Sequence, residues 1–197
     1  IAGRVVSLHQ QNEDKVSAEL IDKLKQGLSV ALVSDAGTPL LSDPGMPLVR
    51  CAREAGVEVS PIPGACVLIA ALSVAGLPVT RFVFEGFLPR TSAARQAFFE
   101  ERLSCEATWV FYESSHRILA SLQDLAEVFP AERQLVVARE MTKLHETIVK
   151  SRVDEMLRRV AQDENMRRGE FVVIVEGATV EKKNNELTEA QLKVLKI

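Results

Sequence analysis

Residues 34–45, Ser-Asp-Ala-Gly-Thr-Pro-Leu-Leu-Ser-Asp-Pro-Gly, constrain the fold more than any other stretch of the chain. The run before them, Leu28-Ser29-Val30-Ala31-Leu32-Val33, is short, apolar and β-branched, as a buried parallel strand would be. The run after them, Met46-Pro47-Leu48-Val49-Arg50-Cys51-Ala52, has helical spacing. Asp43 is a suitable N-cap, Pro44 suits the first helical position and Gly56 suits the C-terminal stop. The pattern is strand, tight loop, helix, and in open α/β sheets ligands sit in the loops at the carboxyl ends of strands. The small residues bare the loop backbone, and Asp35 places a carboxylate at the strand end. An ordinary turn-rich βα connection would carry the same residue types.

The same unit recurs. Val57-Glu58-Val59-Ser60-Pro61-Ile62 reads as a short strand, and Pro63-Gly64-Ala65-Cys66 opens an apolar helix that ends near Gly76. Two such strands side by side would join their turns in one crevice. Ahead of them, residues 4–8 read as a strand. Val16, Leu20, Ile21 and Leu24 mark a helix that Gly27 ends.

After a linker at residues 76–80 the pattern changes. Strands are predicted at 82–88, 108–112, 134–138, 147–150 and 171–176, with helices at 93–103, 118–128 and 153–160. The expected fold class is α/β, with a remainder of an N-terminal α/β domain at 1–79, a C-terminal α/β domain at 80–178 and a ligand cleft between them. Residues 179–197 read as a charged tail in which Leu187, Leu192 and Leu195 need a partner to stay helical.

Composition narrows the function classes. A hydrophobic content of 47% with 26% charged residues is that of an ordinary globular protein. A formal charge of −3 argues against a chain that coats nucleic acid nonspecifically, although it leaves room for a local basic patch. No apolar run is long enough for a membrane span. The three cysteines, Cys51, Cys66 and Cys105, show no metal-ligand spacing, and their odd number favours reduced thiols in the cytosol.

Charge gathers at two predicted strand ends, in Tyr112-Glu113-Ser114-Ser115-His116-Arg117 and in Arg139-Glu140-Met141-Thr142-Lys143. Such clusters belong at a crevice. Plainer roles also exist: Ser115 as the cap of the next helix, Arg139–Glu140 as an ion pair. His116 lacks the partners of a triad. Arg90, Arg95 and Arg102, and then Arg158, Arg159, Arg167 and Arg168, read singly as solvated faces and together as phosphate holders. Neither the glycine-rich dinucleotide fingerprint nor a P-loop is present. The residues alone therefore give a two-domain α/β protein with a crevice rimmed by Asp35, the Pro63-Gly64 turn, Glu113 and Glu140, and no particular reaction.

At Val33-Ser34-Asp35-Ala36-Gly37-Thr38-Pro39 with Ser42-Asp43-Pro44-Gly45, the chain resembles the tetrapyrrole methylase superfamily, most closely its branch of small-subunit ribosomal RNA methyltransferases. The likeness continues through Pro61-Ile62-Pro63-Gly64-Ala65, Phe84-Glu85-Gly86-Phe87-Leu88-Pro89, Phe111-Tyr112-Glu113-Ser114-Ser115-His116-Arg117, Ala138-Arg139-Glu140-Met141-Thr142-Lys143 and Gly169-Glu170-Phe171. It implies S-adenosylmethionine as methyl donor and 2′-O-methylation of a cytidine in small-subunit ribosomal RNA, on naked RNA or a ribosomal particle. It also implies a homodimer, a cytoplasmic location and no membrane. Asp35, Ala36, Gly37 and Thr38 would hold the cofactor together with Pro63, Gly64, Ala65 and Cys66, and Tyr112 and Arg139 would approach it from the second domain. The opening strand of that ribosomal RNA methyltransferase branch with its Pro-Ile-Gly-Asn-Leu loop, its Glu-Asp-Thr-Arg motif and its longer C-terminal region are not found in this sequence. The chain is therefore expected to be a fragment with one wall of the site missing.

Methyl transfer from a sulfonium is an in-line displacement, so alignment supplies much of the catalysis. A ribose hydroxyl is a weak nucleophile and gains from a nearby base or acceptor. Glu113 and Glu140 are the candidates, with Lys143 or Arg117 on a flanking phosphate. Two rivals differ in class: a methyltransferase acting on tetrapyrroles, and a non-catalytic module that docks on RNA or the ribosome.

Overall fold

The computed structural model describes residues 4–179. Eleven elements follow in order: α1 (Glu13–Lys25), α2 (Met46–Glu54), α3 (Val67–Val74), β1 (Phe82–Phe87), α4 (Ser92–Glu100), β2 (Thr108–Ser114), α5 (Ile118–Val128), β3 (Gln134–Arg139), β4 (Thr147–Arg152), α6 (Val153–Gln162) and β5 (Glu170–Val175). A 3₁₀ turn over Glu164–Arg167 leads into β5. None of the helices among the described residues is long and apolar enough to cross a membrane.

All five strands lie in one mixed sheet of order β1-β2-β5-β3-β4. Only β1 and β2 run parallel; β5 lies antiparallel to both β2 and β3, and β4 antiparallel to β3. The three central strands are apolar because both of their faces are covered. Their side chains alternate between two clusters, as a pleat requires. Trp109, Phe111, Leu135, Val137, Phe171, Val173 and Val175 face a cluster shared with α4, α5 and α6. Val110, Val136, Ala138, Val172 and Ile174 face the other side, against Leu68, Ala71 and Leu72 of α3 and the following Ala75 and Leu77. The predicted strands and helices beyond residue 81 thus form close to their expected bounds.

The N-terminal part differs from expectation. The three apolar segments read as strands, 4–8, 28–33 and 57–62, form no ladder, so neither the parallel pair nor a crevice between two such strands is present among the described residues. A strand exists through the bonds it shares with a neighbour, and here no neighbour lies in register. Leu8, Val57 and Val59 pack partly on the small cluster between α1 and α2. Val5, Val33 and Ile62 stay 75%, 71% and 88% exposed.

Two capping expectations also change. Asp43 does not cap α2, which starts later with Gly45 at its N-cap; Asp43 Oδ2 instead accepts the Ser34 hydroxyl (2.5 Å). Ser115 does not cap α5, whose N-cap is Arg117 with no side-chain cap bond. Of the charged tail, residues 180–197 lie outside the described residues.

Candidate functional site

The antiparallel placement of β5 brings several carboxyl ends to one edge of the sheet. β1, β2 and β3 all finish where β5 begins: Phe87 lies beside Tyr112, Ser114 beside Glu170, and Arg139 beside Phe171. The two charged clusters therefore leave the sheet at the same edge, with only the start of β5 between them, roughly two strand spacings or about 10 Å apart. Sequence placed each cluster after a strand; topology places them together.

The loop at 34–45 and the turn at 63–66 meet through the Thr38 hydroxyl, which donates to the Ala65 carbonyl (3.0 Å). Asp35, Ala36, Gly37 and Thr38 are exposed, as are Pro63, Gly64 and Ala65. Leu40 (φ 73°) and Ser42 (φ 62°) hold the left-handed conformation without being glycine, a strain that neighbouring structure must sustain. The Gly45 N–H donates to Glu13 Oε2 (3.0 Å), which ties the loop to α1.

Tyr112 joins these loops to the sheet. Its ring meets Phe84 and Phe87 edge-on, with centroids 4.8 and 5.7 Å away. Burial pushes its phenol above the ordinary range, and the nearby Cys66 and Asp43 add to the effect. Tyr112 and Cys66 pack against the same cluster. The predicted cofactor residues of the 35–38 loop, the 63–66 turn and Tyr112 are thus assembled in one place. Arg139 is held by other partners: its Nε donates to Thr147 Oγ1 (3.1 Å) and its Nη1 to the Arg168 carbonyl (3.1 Å).

The second constellation centres on Glu140. Its Oε1 accepts the Glu170 N–H (2.9 Å) and faces Lys143 Nζ (3.0 Å), and Lys143 also reaches Glu170 Oε2 (2.9 Å). Of the alternatives for Arg139–Glu140, the ion pair between the two does not form; Glu140 pairs with Lys143 instead. The Glu170 amide, then Lys143, holds the Glu140 carboxyl below the usual range, and the two carboxylates raise Lys143. Glu140 (φ 52°) and Thr142 (φ 65°) are also left-handed. Gly169 (φ 101°) is required here, because a Cβ on it would stand 2.5 Å from Glu140 Cγ.

The other two predicted residues face inward. Glu113 is buried; it accepts the Ser114 N–H (2.8 Å) and the Ser121 hydroxyl (2.7 Å), and Arg117 Nη2 lies 3.4 Å from its Oε2. Arg117 Nη2 donates to the carbonyls of Leu88 and Pro89 (both 2.8 Å). The guanidinium expected on a phosphate is thus bonded to backbone. Ser121 was not singled out in the sequence, and Gly169 figured only within the Gly169-Glu170-Phe171 motif, with no role of its own. Ser121 interrupts the apolar face of α5 between Ile118 and Leu122, and Gly169 sits just ahead of a strand. Those are the signals that could have found them. No group of three metal-ligating side chains occurs among the described residues.

Residues 2–157 match the family model of tetrapyrrole (corrin/porphyrin) methylases. The chain belongs to this family. It is 52% identical over 174 residues to ribosomal RNA small subunit methyltransferase I of Xylella fastidiosa, a match covering 88% of this chain and 64% of that protein. It is 47% identical over 191 residues to the protein of the same name from Haemophilus influenzae, covering 97% and 68%. The chain therefore spans about two thirds of the length of these relatives. Two solved structures share the fold. Diphthine synthase superposes with a TM-score of 0.62 at 18% identity, covering 88% of this chain and 69% of that one. Uroporphyrin-III C-methyltransferase from Thermus thermophilus, complexed with S-adenyl homocysteine, gives 0.54 at 17% identity, covering 89% and 77%.

Proposed function

We propose that the protein transfers a methyl group from S-adenosylmethionine to the 2′-hydroxyl of a cytidine in small-subunit ribosomal RNA, as a homodimer in the cytoplasm. The reaction would take place in a cleft between an N-terminal unit at 1–79 and a C-terminal unit at 80–178. The observation that carries this reading is the convergence of the 34–45 loop, the 63–66 turn and Tyr112 at the carboxyl edge of the sheet. The names of relatives near 50% identity favour RNA over a tetrapyrrole as substrate.

The residues present fit the cofactor. No backbone–backbone hydrogen bond within the described residues closes positions 35–44, so this exposed loop offers amides and carbonyls to a polar ligand. Asp35 has no side-chain partner among the described residues and adds a carboxylate. The half-buried Tyr112 adds an aromatic face. When bound, S-adenosylmethionine supplies an electrophilic methyl group. Asp35, Ala36, Gly37 and Thr38, with Pro63, Gly64, Ala65, Cys66 and Tyr112, bind and orient it. Arg139 acts at one remove, fixing the ends of β3 and β4.

Glu140 is the acceptor for the hydrogen of the 2′-hydroxyl. Its depressed pKa keeps it a carboxylate at neutral pH, which suits orienting the hydroxyl better than removing its proton outright. Lys143 holds Glu140 in place and presents positive charge toward RNA. Glu113 and Arg117 position the strand end around the site.

The test is Glu140→Gln in the full chain. Cofactor binding by calorimetry should be unchanged, while methyl incorporation into small-subunit ribosomal RNA falls by about 100-fold or more. Full activity would remove Glu140 from the reaction. If neither this chain nor a version extended to the length of its relatives binds S-adenosylmethionine, the methyltransferase reading itself is removed.

A further inference from the structure

The three arginines at 90, 95 and 102 do not form one basic face. Arg102 makes a two-pronged ion pair with Glu85 (2.7 and 2.9 Å) and lies over the Phe98 ring. Arg95 is buried against Asp124 (2.6 Å). Arg90 alone of the three is exposed, with no carboxylate partner among the described residues.

The backbone around Arg90 is held unusually firmly. Arg117 Nη2 donates to the carbonyls of Leu88 and Pro89 (both 2.8 Å). Arg95 Nη1 donates to the carbonyls of Arg90 (2.8 Å) and Pro89 (3.4 Å). Two guanidiniums, each matched by a buried carboxylate, thus fix three successive peptide groups that lie in no regular element. Phe87 opens this segment. The residue is 57% exposed, and its ring centroid stands 5.7 Å from that of Tyr112 at the candidate site. Gly86 (φ 66°) brings the same segment close to the 34–45 loop, where its Cβ position lies 3.7 Å from Ser42 Oγ.

We propose that residues 87–90 form a rigid docking edge for single-stranded RNA, in which Phe87 stacks on an unpaired base and Arg90 neutralises the adjacent phosphate. This rests on the RNA reading given above and extends it to a substrate contact. Single-stranded RNA is recognised by aromatic faces that accept splayed bases and by cations that follow the backbone. An exposed ring and an unpaired guanidinium three residues apart supply both. Both groups belong to a segment continuous with the candidate site. Fixing the peptide groups in advance removes an ordering cost that binding would otherwise incur. The net charge of −3 makes one uncompensated cation at this position more telling.

The experiment measures binding of a ten-nucleotide oligocytidine to the full chain across a salt series, alongside S-adenosylmethionine titration and methyl incorporation into small-subunit ribosomal RNA. Phe87→Ala should weaken oligomer binding about tenfold or more, and Phe87→Tyr should restore it. Arg90→Gln should flatten the dependence of log affinity on log salt by about 0.7. Cofactor affinity should hold in all three variants. Parent-like RNA affinity in Phe87→Ala, or a parent-like salt slope in Arg90→Gln, overturns the docking edge. A parent that methylates RNA but is indifferent to both substitutions keeps the methyltransferase reading and removes the edge. A parent that binds the oligomer through Phe87 and Arg90, yet transfers no methyl group even when extended to the length of its relatives, keeps the edge and removes that reading. A parent that binds no RNA overturns both.

Discussion

The segments 28–33 and 57–62 and the strands β2, β3 and β5 have similar compositions and opposite fates. Leu28, Val30 and Val33 are exposed, whereas Val110, Val136 and Val173 are wholly buried. Each of the central strands has a neighbour in register on both sides and helices over both faces. Of the two N-terminal segments, only 57–62 reaches the edge of the small α1–α2 cluster, through Val57 and Val59. Apolar, β-branched residues supply the tendency to form a strand, but a paired neighbour makes one.

The sharpest way to break this comparison is amide hydrogen exchange. Amides of Val110, Val136 and Val173 should exchange slower than those of Val30 and Ile62 by roughly three decades or more. Comparable protection in both regions would mean that the N-terminal segments are paired in solution. Next in size is a pair of truncations followed by denaturant unfolding. Trp109→Ala removes a ring stacked 5.6 Å from Phe111 and should cost about 3–5 kcal/mol, whereas Ile62→Ala should stay within about 0.5 kcal/mol.

A smaller effect is expected at the sheet edge. Gly169→Ala places a Cβ against Glu140 in a backbone conformation that alanine adopts poorly, and should cost about 1–3 kcal/mol. Methyl transfer should fall further than stability does, because the displaced group is the Glu140 carboxylate. The smallest effect concerns pH. Glu140 has a depressed pKa in the folded state, so its contribution is fully present above the unfolded value of about 4.3 and is lost as pH falls through the folded value. The unfolding midpoint of Glu140→Gln should therefore show a weaker decline than the parent's over that acid range. Identical acid profiles would show that the Glu140–Lys143 contact has no weight in solution.

Much of the C-terminal region was legible because periodicity reports burial directly. Trp109 and Phe111 alternate with Val110 and Tyr112, and the pleat sends them to opposite clusters. The site loops were legible through their small residues and prolines, which mark backbone that cannot continue a helix or strand. The direction of a long side chain was not. Arg117 and Arg139 stand among charged neighbours in the sequence, yet both donate to backbone carbonyls supplied by segments about 29 residues away. Asp43 looked like a cap because its chain neighbours suited one, but it accepts a hydroxyl nine positions earlier. Sequence proximity ranks partners poorly wherever a guanidinium or carboxylate can reach across a fold.

The position of β5 also sets a schedule. The strand between β2 and β3 is the last translated of the five described strands. While the nascent chain grows from Ser114 to Glu170 at about 5–20 residues per second, β2 and then β3 wait several seconds without the partner that will lie between them. During that interval their apolar faces and open edges are available to chaperones or to other nascent chains. A pause in translation just before the codon for Glu170 would prolong that exposure, and release of the chain there would leave β2 and β3 without the strand that joins them.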